Sequence, residues 1–311
     1  MDRRTFLAAA SATAISTGLH SLPSLAAPDT AKLPPMVLGL LISPHDDPEG
    51  SIKRVHEMGF SNCFLSLDGY INKFTDDAAK QIADLLGKYQ LVATTVEVVG
   101  PGPLVWNFLQ GPNTIGVVPP KTRAARIDAL RQVSDFAKQL GIKQVQTHCG
   151  FIPENPTDAL YPQAVAAIRT VAEHCHANGQ YFLMETGQET PTTMSRVIRD
   201  ANLPNLAVGL DTANLILYGK ANPVDAVDIL GTHVRSVHAK DGKWPTDPSK
   251  LGEEVLIGKG LVDFKTVFTK LHKLGYTGAI TIERETSGPQ QITDVKNEKM
   301  YLQKIIDAVL A

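Results

Sequence analysis

The sequence of 311 residues contains little cysteine, few aromatic residues and almost no net charge. Its three cysteines, Cys63, Cys149 and Cys175, are too few and odd in number to form a disulfide framework. Aromatic residues make up 6% of the chain, and its formal net charge is −2. Because contacts to phosphates require a basic face, this balance argues against a protein that binds nucleic acid.

What the sequence does contain is typical of a soluble globular protein. Hydrophobic residues make up 43% of the chain and charged residues 20%. These fractions exclude an intrinsically disordered chain, a collagen-like repeat and a coiled coil. The length allows either two domains of ordinary size or one large α/β barrel.

The N-terminus is typical of an export signal. The adjacent arginines Arg3 and Arg4 precede a small, weakly apolar stretch that ends in a small-x-small cleavage site at Ala26. This pattern predicts a twin-arginine signal peptide over residues 1–26, and its apolar stretch is too weak to span a membrane. The alternative, an N-terminal helix of the domain, lacks a cap and a helical apolar stripe. We therefore expect residues 27–311 to form one exported domain that is periplasmic or secreted.

The rest of the chain alternates between strand and helix patterns. Continuous apolar runs, which are typical of parallel strands buried on both faces, recur eight times. These predicted strands cover residues 36–43, 62–68, 91–100, 143–150, 180–186, 206–211, 234–241 and 279–285. Apolar residues at helical spacing occur after each strand. These predicted helices cover residues 49–58, 75–89, 122–140, 159–178, 192–200, 223–230, 264–274 and 295–310.

Three predicted helices end in a glycine followed by an apolar residue, at Gly59, Gly141 and Gly275. A glycine in the left-handed conformation is the expected helix stop before the next strand. Strict alternation implies parallel pairing with right-handed crossovers, and eight such units have the size of a closed barrel. An open doubly wound sheet is the alternative, but no glycine-rich dinucleotide-binding turn follows the first strand. The sequence therefore predicts an α/β protein that is a single (β/α)8 TIM barrel.

Four consecutive predicted strands each finish on a side chain that can bind a metal. In such barrels the active site lies at the C-terminal ends of the strands. The four residues are Glu185, Asp211, His238 and Glu283. Burying one carboxylate alone is costly, and a helix cap or salt bridge would explain a single case better than four together. Three carboxylates and one imidazole predict one divalent metal ion, with Mn²⁺ favoured and Mg²⁺, Co²⁺ or Zn²⁺ as alternatives.

Three segments of the sequence resemble the xylose isomerase-like TIM barrels, a superfamily of sugar isomerases, ketose 3-epimerases, inosose dehydratases and endonuclease IV. They are residues 209–214 (GLDTAN), 237–242 (VHAKDG) and 258–264 (GKGLVDF). The resemblance covers essentially all of the chain after the predicted signal. It implies that the four strand-end residues bind one metal ion. It also implies that Glu185 and Glu283 act as the acid/base pair.

The sequence departs from the family pattern at two positions near the predicted site. Asn214, a candidate substrate-binding residue, stands where ketose epimerases usually have a histidine, and Lys259 stands where many relatives have glutamate. The chain also lacks most of the extra histidines of the multinuclear endonucleases. These differences leave a single-metal site in place and leave the substrate open.

Further candidates for substrate binding lie at other strand ends. His148 could bind a substrate hydroxyl or make a structural hydrogen bond. Lys240 could polarise substrate oxygens or pair with Asp241. Trp106, in the long segment 100–120, could cover a sugar face or pack over the barrel rim. Weaker candidates near strand ends are His45, Glu97 and Glu154.

These residues predict a metal-dependent isomerase or epimerase that removes a proton α to a carbonyl. Because phosphorylated sugars are scarce outside the cytoplasm, we expect a non-phosphorylated sugar or sugar derivative as the small-molecule substrate. One alternative is a periplasmic lyase that cleaves 3-keto-glycosides by β-elimination at the same site. Another is a non-catalytic secreted sugar-binding protein. The family also implies a homo-oligomer.

Overall fold

The computed structural model describes residues 33–311, so the predicted signal peptide at residues 1–26 lies outside the described residues. Eight parallel strands close into a barrel, in the order β1-β10-β7-β6-β5-β4-β3-β2, and the predicted fold is confirmed. The barrel strands are β1 (Leu38–Ile42), β2 (Asn62–Ser66), β3 (Val92–Glu97), β4 (Gln144–Thr147), β5 (Tyr181–Glu185), β6 (Leu206–Asp211), β7 (Val234–Ala239) and β10 (Ile280–Ile282). An antiparallel pair, β8 (Asp241–Lys243) and β9 (Glu253–Val255), stands apart from the barrel.

Helices alternate with the barrel strands and pack around them. The α-helices are α1 (Pro48–Glu57), α2 (Asp76–Lys88), α3 (Gly111–Thr114), α4 (Pro120–Gln139), α5 (Leu160–Ala177), α6 (Pro191–Ala201), α7 (Asn214–Leu217), α8 (Pro223–Leu230), α9 (Phe264–Lys273) and α10 (Gly288–Leu310). Among residues 33–311, none of these helices is both long and apolar enough to cross a membrane.

The predicted helix stops are confirmed by the backbone. Gly59, Gly141 and Gly275 have φ angles of 74°, 71° and 81°, in the left-handed region that favours glycine. Each allows the chain to leave its helix and enter the next strand or turn. The ends of these three helices are therefore determined by the local backbone conformation as well as by packing in the core.

The structure differs from the sequence prediction where polar segments carry no apolar period. Helix α10 begins at Gly288, seven residues before the predicted start at residue 295. The prediction started too late because the first turns of the helix are mostly polar and its buried residues begin only at Asp294 and Val295. The predicted strand 234–241 is divided, because β7 ends at Ala239 and β8 begins at Asp241. The short helices α3 and α7 and the β8–β9 pair were not predicted.

The long segment 100–120 is anchored to the barrel by a buried arginine of α4. The Arg126 guanidinium is fully buried and donates hydrogen bonds to the carbonyl oxygens of Pro101, Pro103 and Gly116 at 3.2, 3.2 and 2.8 Å. A charged donor group satisfies three carbonyls that the irregular backbone leaves unpaired. These contacts hold the loop that carries Trp106 beside the C-terminal end of the barrel.

Replacement of Gly116 by alanine should destabilise the fold. Its φ is 71°, and an added Cβ would lie 2.0 Å from the carbonyl carbon and oxygen of Cys149. We expect Gly116→Ala to lose more than about 2 kcal/mol in urea-induced unfolding, since strain and a backbone clash add. Gly87→Ala is the matched control, because its Cβ would meet nothing within 4 Å. In α2 it should gain about 0.5–1 kcal/mol. Equal unfolding midpoints for Gly116→Ala and the wild type would contradict this account.

Candidate metal centre

The structure brings the four predicted metal-binding side chains together. Glu185, Asp211 and His238 lie on β5, β6 and β7, and Glu283 follows β10, the next strand around the barrel. One ligand atom from each residue lies within 4.8 Å of the others. His238 Nδ1 is 3.3 Å from Glu185 Oε1 and 3.1 Å from Glu283 Oε2. Four adjacent strands thus converge on one point at their C-terminal ends.

A residue that the sequence analysis did not assign orients the first of these carboxylates. Gln146, on β4, donates from Nε2 to Glu185 Oε2 at 3.0 Å. Its side chain fits because Gly209 of β6 has no side chain, and a Cβ there would lie 2.1 Å from Gln146 Oε1. Packing therefore requires a glycine at position 209, because a side chain there would collide with Gln146. A sequence signal existed in the position of Gln146, on the predicted strand 143–150 and two residues before the candidate His148, which follows β4 in the structure.

Burial and the neighbouring cationic groups act in opposite directions on the carboxylates, with a different outcome for Asp211 and Glu185. Burial raises the pKa of Asp211 well above its usual range; Lys240 opposes the shift, but the charges of Glu283 and Glu185 add to it. Burial also acts on Glu185, but His148 and His238 outweigh it and lower its pKa to about 2. The site therefore concentrates negative charge that needs cationic partners.

The imidazole responds in the opposite sense. Burial alone would lower the pKa of His238, but the adjacent carboxylates of Glu185 and Glu283 outweigh it and raise the pKa well above its usual range. The rings of Phe64 and His238 pack in a T-shaped arrangement with centroids 4.5 Å apart. This contact restricts the orientation of the His238 ring. The surroundings of His238 favour a positive charge at this position.

The residues fit one divalent cation. Asp211 Oδ1 accepts a hydrogen bond from the Asn214 backbone at 2.6 Å, whereas Asp211 Oδ2 and His238 Nε2 are buried without a hydrogen-bond partner in residues 33–311. Ligand atoms within 4.8 Å of one another can share an ion at about 2.1–2.4 Å. Carboxylate oxygens with one imidazole suit Mn²⁺, Mg²⁺ and related ions.

Lys240 lies at the edge of the cluster with 1% of its surface exposed. Its Nζ contacts Glu285, lies 3.5 Å from Glu283 Oε1 and donates to Asn214 Oδ1 at 3.4 Å. Burial alone would lower the pKa of Lys240, but these carboxylates and Asp211 raise it well above its usual range. A cationic ammonium therefore stands beside the candidate ligands.

The alternative pairing of Lys240 with Asp241 is wrong. The Asp241 carboxylate instead accepts hydrogen bonds from four backbone N–H groups, those of Gly242, Gly258, Gly260 and Val262. A Cβ on Gly260 would lie 2.1 Å from Asp241 Oδ1, so the close approach requires glycine. Asp241 thus fixes the segment GKGLVDF to the end of β7, and Lys240 remains free to face the cluster.

A cavity of about 390 Å³ opens beside the cluster. His148 and Trp106 lie in its wall, with ring centroids 4.9 Å apart, and His148 Nε2 is 3.3 Å from Glu185 Oε2. The cavity is lined by Ser66, Asp68, Glu97, Val99, Leu104, Trp106, His148, Asn214, Leu217, Tyr218, Leu251, Glu283 and Glu285. Its size lies in the range of small-molecule pockets. Tyr218, Leu251 and Glu285 are wall residues that the sequence analysis did not identify.

Other sequence candidates lie outside this wall. His45 hydrogen-bonds Asp46 and Lys73 on the surface. Glu154 accepts hydrogen bonds from the hydroxyls of Thr190 and Thr193 at the start of α6. These contacts assign the two residues structural roles.

A (β/α)8 barrel with three clustered carboxylates and one imidazole at its strand ends belongs to the class of barrels that can hold one metal ion beside a small-molecule cavity. Residues 52–305 match the family model described as "Xylose isomerase-like TIM barrel". The chain belongs to the xylose isomerase-like TIM barrel family.

Individual relatives are similar at modest identity. A solved xylose isomerase domain protein from Planctomyces limnophilus is 28% identical, with a TM-score of 0.84 over 89% of this chain and 99% of that chain. A solved D-tagatose 3-epimerase-like protein is 20% identical, with a TM-score of 0.70 over 88% and 98%. An inosose dehydratase of Geobacillus kaustophilus is 25% identical over 50% of this chain and 56% of its own length. The chain spans 33 to 65% of the curated relatives it matches. Sugar-processing enzymes are thus among the similar proteins.

A further carboxyl group, Glu189, lies buried four residues after Glu185 and outside the cavity wall. Its carboxyl oxygens make no hydrogen bond to another residue in the described part of the chain. Burial raises the pKa of Glu189 to about 8, although Lys220 acts to lower it. The group is therefore largely neutral at pH 7.

Glu189 should make the fold less stable as pH rises. Its pKa is about 4.5 in an exposed setting and about 8 in the native state, so the native state binds the proton more tightly between these values. Stability should fall through this window as pH increases. Glu189→Gln should match the wild type in thermal unfolding below pH 4.5 and exceed its Tm by several degrees above pH 8. The surface substitution Glu57→Gln is the control. A Tm difference independent of pH would contradict the buried neutral state.

Proposed function

We propose that the protein is a metal-dependent isomerase or epimerase that removes a proton α to a carbonyl of a non-phosphorylated sugar or sugar derivative. One observation carries the proposal: two glutamates, Glu185 and Glu283, approach the same buried His238 Nδ1, at 3.3 and 3.1 Å, beside a cavity of about 390 Å³. Paired carboxylates at one point suit proton removal and return.

The two glutamates approach the site from different sides. Glu185 lies on β5 and Glu283 follows β10, with β6 and β7 between them in the barrel. One carboxylate can accept the α-proton while the other delivers a proton. Delivery to the opposite face of the same carbon is epimerisation, and delivery to the neighbouring carbon is aldose–ketose isomerisation.

The candidate ligands Glu185, Asp211, His238 and Glu283 would hold the metal ion, with Mn²⁺ favoured over Mg²⁺, Co²⁺ and Zn²⁺. When bound, a divalent ion polarises a carbonyl and so makes the adjacent C–H more acidic. The side chains of His148, Asn214, Lys240 and Trp106 would position the substrate. His148 and Lys240 would bind its oxygens, and the half-exposed Trp106 ring offers a face for sugar C–H groups.

A second candidate is a lyase for 3-keto-glycosides. The observation that favours it is the apolar part of the cavity wall, formed by Leu104, Trp106, Leu217, Tyr218 and Leu251. This surface could accommodate an aglycone or second sugar beyond the reacting ring. A 3-keto-glycoside has an acidic proton at C2 and a leaving group at C1, so the same proton abstraction leads to β-elimination. The relative named inosose dehydratase supports elimination chemistry in similar proteins.

A non-catalytic sugar-binding protein is the third candidate, and it is disfavoured because sugar binding alone requires no acid/base pair of glutamates. Export by the twin-arginine signal over residues 1–26 is part of the proposal and would place the enzyme in the periplasm or outside the cell. The proposal also includes a homo-oligomer.

Solvent deuterium should enter the substrate during turnover. We expect Mn²⁺-loaded protein in D₂O to label a ketohexose or a 3-keto-glycoside at the carbon α to the carbonyl, detected by NMR. Glu185→Gln and Glu283→Gln should each reduce labelling by about 10²–10⁴-fold, because each removes an acid/base group. Glu154→Gln should leave labelling unchanged. The enzyme assignment would be overturned if neither label nor product appeared with any of these substrates.

A divalent ion should stabilise the folded protein. At about 100 times its dissociation constant, Mn²⁺ should add about 2.7 kcal/mol to folding. For a chain of this size, that corresponds to a rise in Tm of about 4–5 °C in calorimetry. Asp211→Asn should abolish the rise. Asp68→Asn should retain it, because the Asp68 carboxylate is already engaged by the backbone N–H groups of Val99 and Gly100. An undiminished rise in Asp211→Asn would exclude this residue as a ligand.

A further inference from the structure

The chain that follows β10 alternates in charge, with Arg284 between Glu283 and Glu285. Both glutamates line the cavity, and Lys240 Nζ approaches both of them. Arg284 does not line the cavity, because successive side chains of an extended chain point to opposite sides. The segment 283–285 therefore turns its glutamates toward the site and its arginine toward the elements behind it.

Arg284 joins this segment to two other elements. Its Nη1 donates to Glu254 Oε1 of β9 at 2.6 Å, and its Nε donates to Asp294 Oδ2 of α10 at 2.9 Å. The side chains of Arg284, Glu254 and Asp294 are 11%, 13% and 8% exposed, so water screens these charge-assisted hydrogen bonds only weakly. The guanidinium thus ties the residue after Glu283 to both a hairpin and a helix.

The backbone of the segment is held by the same two elements. Gln291 of α10 donates from Nε2 to the Arg284 carbonyl oxygen at 2.8 Å, and the Glu285 N–H donates to Glu254 Oε1 at 3.3 Å. Strand β10 ends at Ile282, and the Glu283 N–H still donates to a carbonyl oxygen at the end of β7, at 3.2 Å. Beyond this bond, contacts of Arg284, Glu254 and Gln291 hold the segment in place.

We propose that Arg284 is a positioning residue that sets the place of the Glu283 carboxylate, and through it the affinity of the site for its metal ion and the rate of proton transfer. This inference rests on the proposed function of the same site. Removal of a group that orients a metal ligand typically costs about 10- to 100-fold in metal affinity or activity. Arg284 uses two nitrogen atoms of one planar guanidinium, whereas lysine offers a single ammonium, so Arg284→Lys should replace it only in part.

Direct titration with Mn²⁺ tests this role without turnover. The full chain is stripped of metal with a chelator and titrated by calorimetry as wild type, Arg284→Met and Arg284→Lys. Arg169→Met is the matched control, since it also removes an arginine that pairs with a carboxylate, Glu173, and donates to a carbonyl oxygen, that of Ala201 where α6 ends. Glu254→Ala is a second variant that removes one partner of Arg284 and leaves the guanidinium in place.

We expect Arg284→Met to bind Mn²⁺ about 10- to 100-fold more weakly than the wild type, with Arg284→Lys and Glu254→Ala intermediate and Arg169→Met unchanged. At saturating Mn²⁺, deuterium incorporation by Arg284→Met should stay about tenfold or more below the wild-type rate, because Glu283 is displaced as an acid/base group as well as a ligand. A role in fold stability alone would lower the Tm and leave both the Mn²⁺ affinity and the saturated rate unchanged.

Wild-type Mn²⁺ affinity or a wild-type rate at saturating Mn²⁺ in Arg284→Met would overturn the inference. If Arg284→Met does not fold, the same result in Glu254→Ala would overturn it, as would a wild-type protein that binds no Mn²⁺. Failure of the proposed function would show differently. In that case the wild type would bind Mn²⁺ and Arg284→Met would bind it more weakly, but neither would incorporate deuterium into any sugar.

Discussion

The arrangement of this barrel depends on one electrostatic constraint, the crowding of three carboxylates, two of them fully buried, around a single imidazole at the C-terminal ends of adjacent strands. Asp211 and Glu185 are essentially inaccessible to solvent, so water cannot screen their repulsion. Positive charge must therefore be supplied nearby, by Lys240 and by a divalent ion that the donor set suits, to which His238 would contribute a neutral imidazole nitrogen. The proposed acid/base pair and the charge balance of the site thus depend on the same geometry.

Several features outside the cluster exist to make this burial feasible. Gly209 leaves space for Gln146, whose amide orients Glu185, and the Asp241 carboxylate binds four backbone N–H groups and so cannot compete for Lys240. Each of these contacts uses a glycine or a polar side chain at a position where an apolar residue could pack in the core. At such positions the sequence departs from the pattern expected for stability alone, as is typical of functional sites.

The sequence was sufficient to predict the barrel and the strand-end residues, because both depend on local patterns. Continuous apolar runs mark strands buried on both faces, and a barrel brings all their C-terminal ends to one side. Contacts between strands were not predictable in this way. Gln146 meets Glu185, and Lys240 meets Glu285 rather than Asp241, through strand register and loop geometry that no local period encodes. The polar start of α10 and the β8–β9 pair were not predicted either, since neither has an apolar period.

Under the proposed function, proton transfer and substrate recognition would lie on different strands of the barrel. Strands β5, β6, β7 and β10 carry the residues that the proposed proton transfer needs, and this half is constrained by charge balance. The other half carries Glu97 on β3, His148 after β4 and the anchored loop with Trp106, and its charges still act on the cluster, since His148 Nε2 is 3.3 Å from Glu185 Oε2. Changes in the loop that carries Trp106 can alter the shape of the cavity without removing a charged neighbour of the cluster. Under the proposed function, substrate preference would be set largely in this half, and Asn214, which hydrogen-bonds both Glu185 and Lys240, lies at the boundary between the two halves.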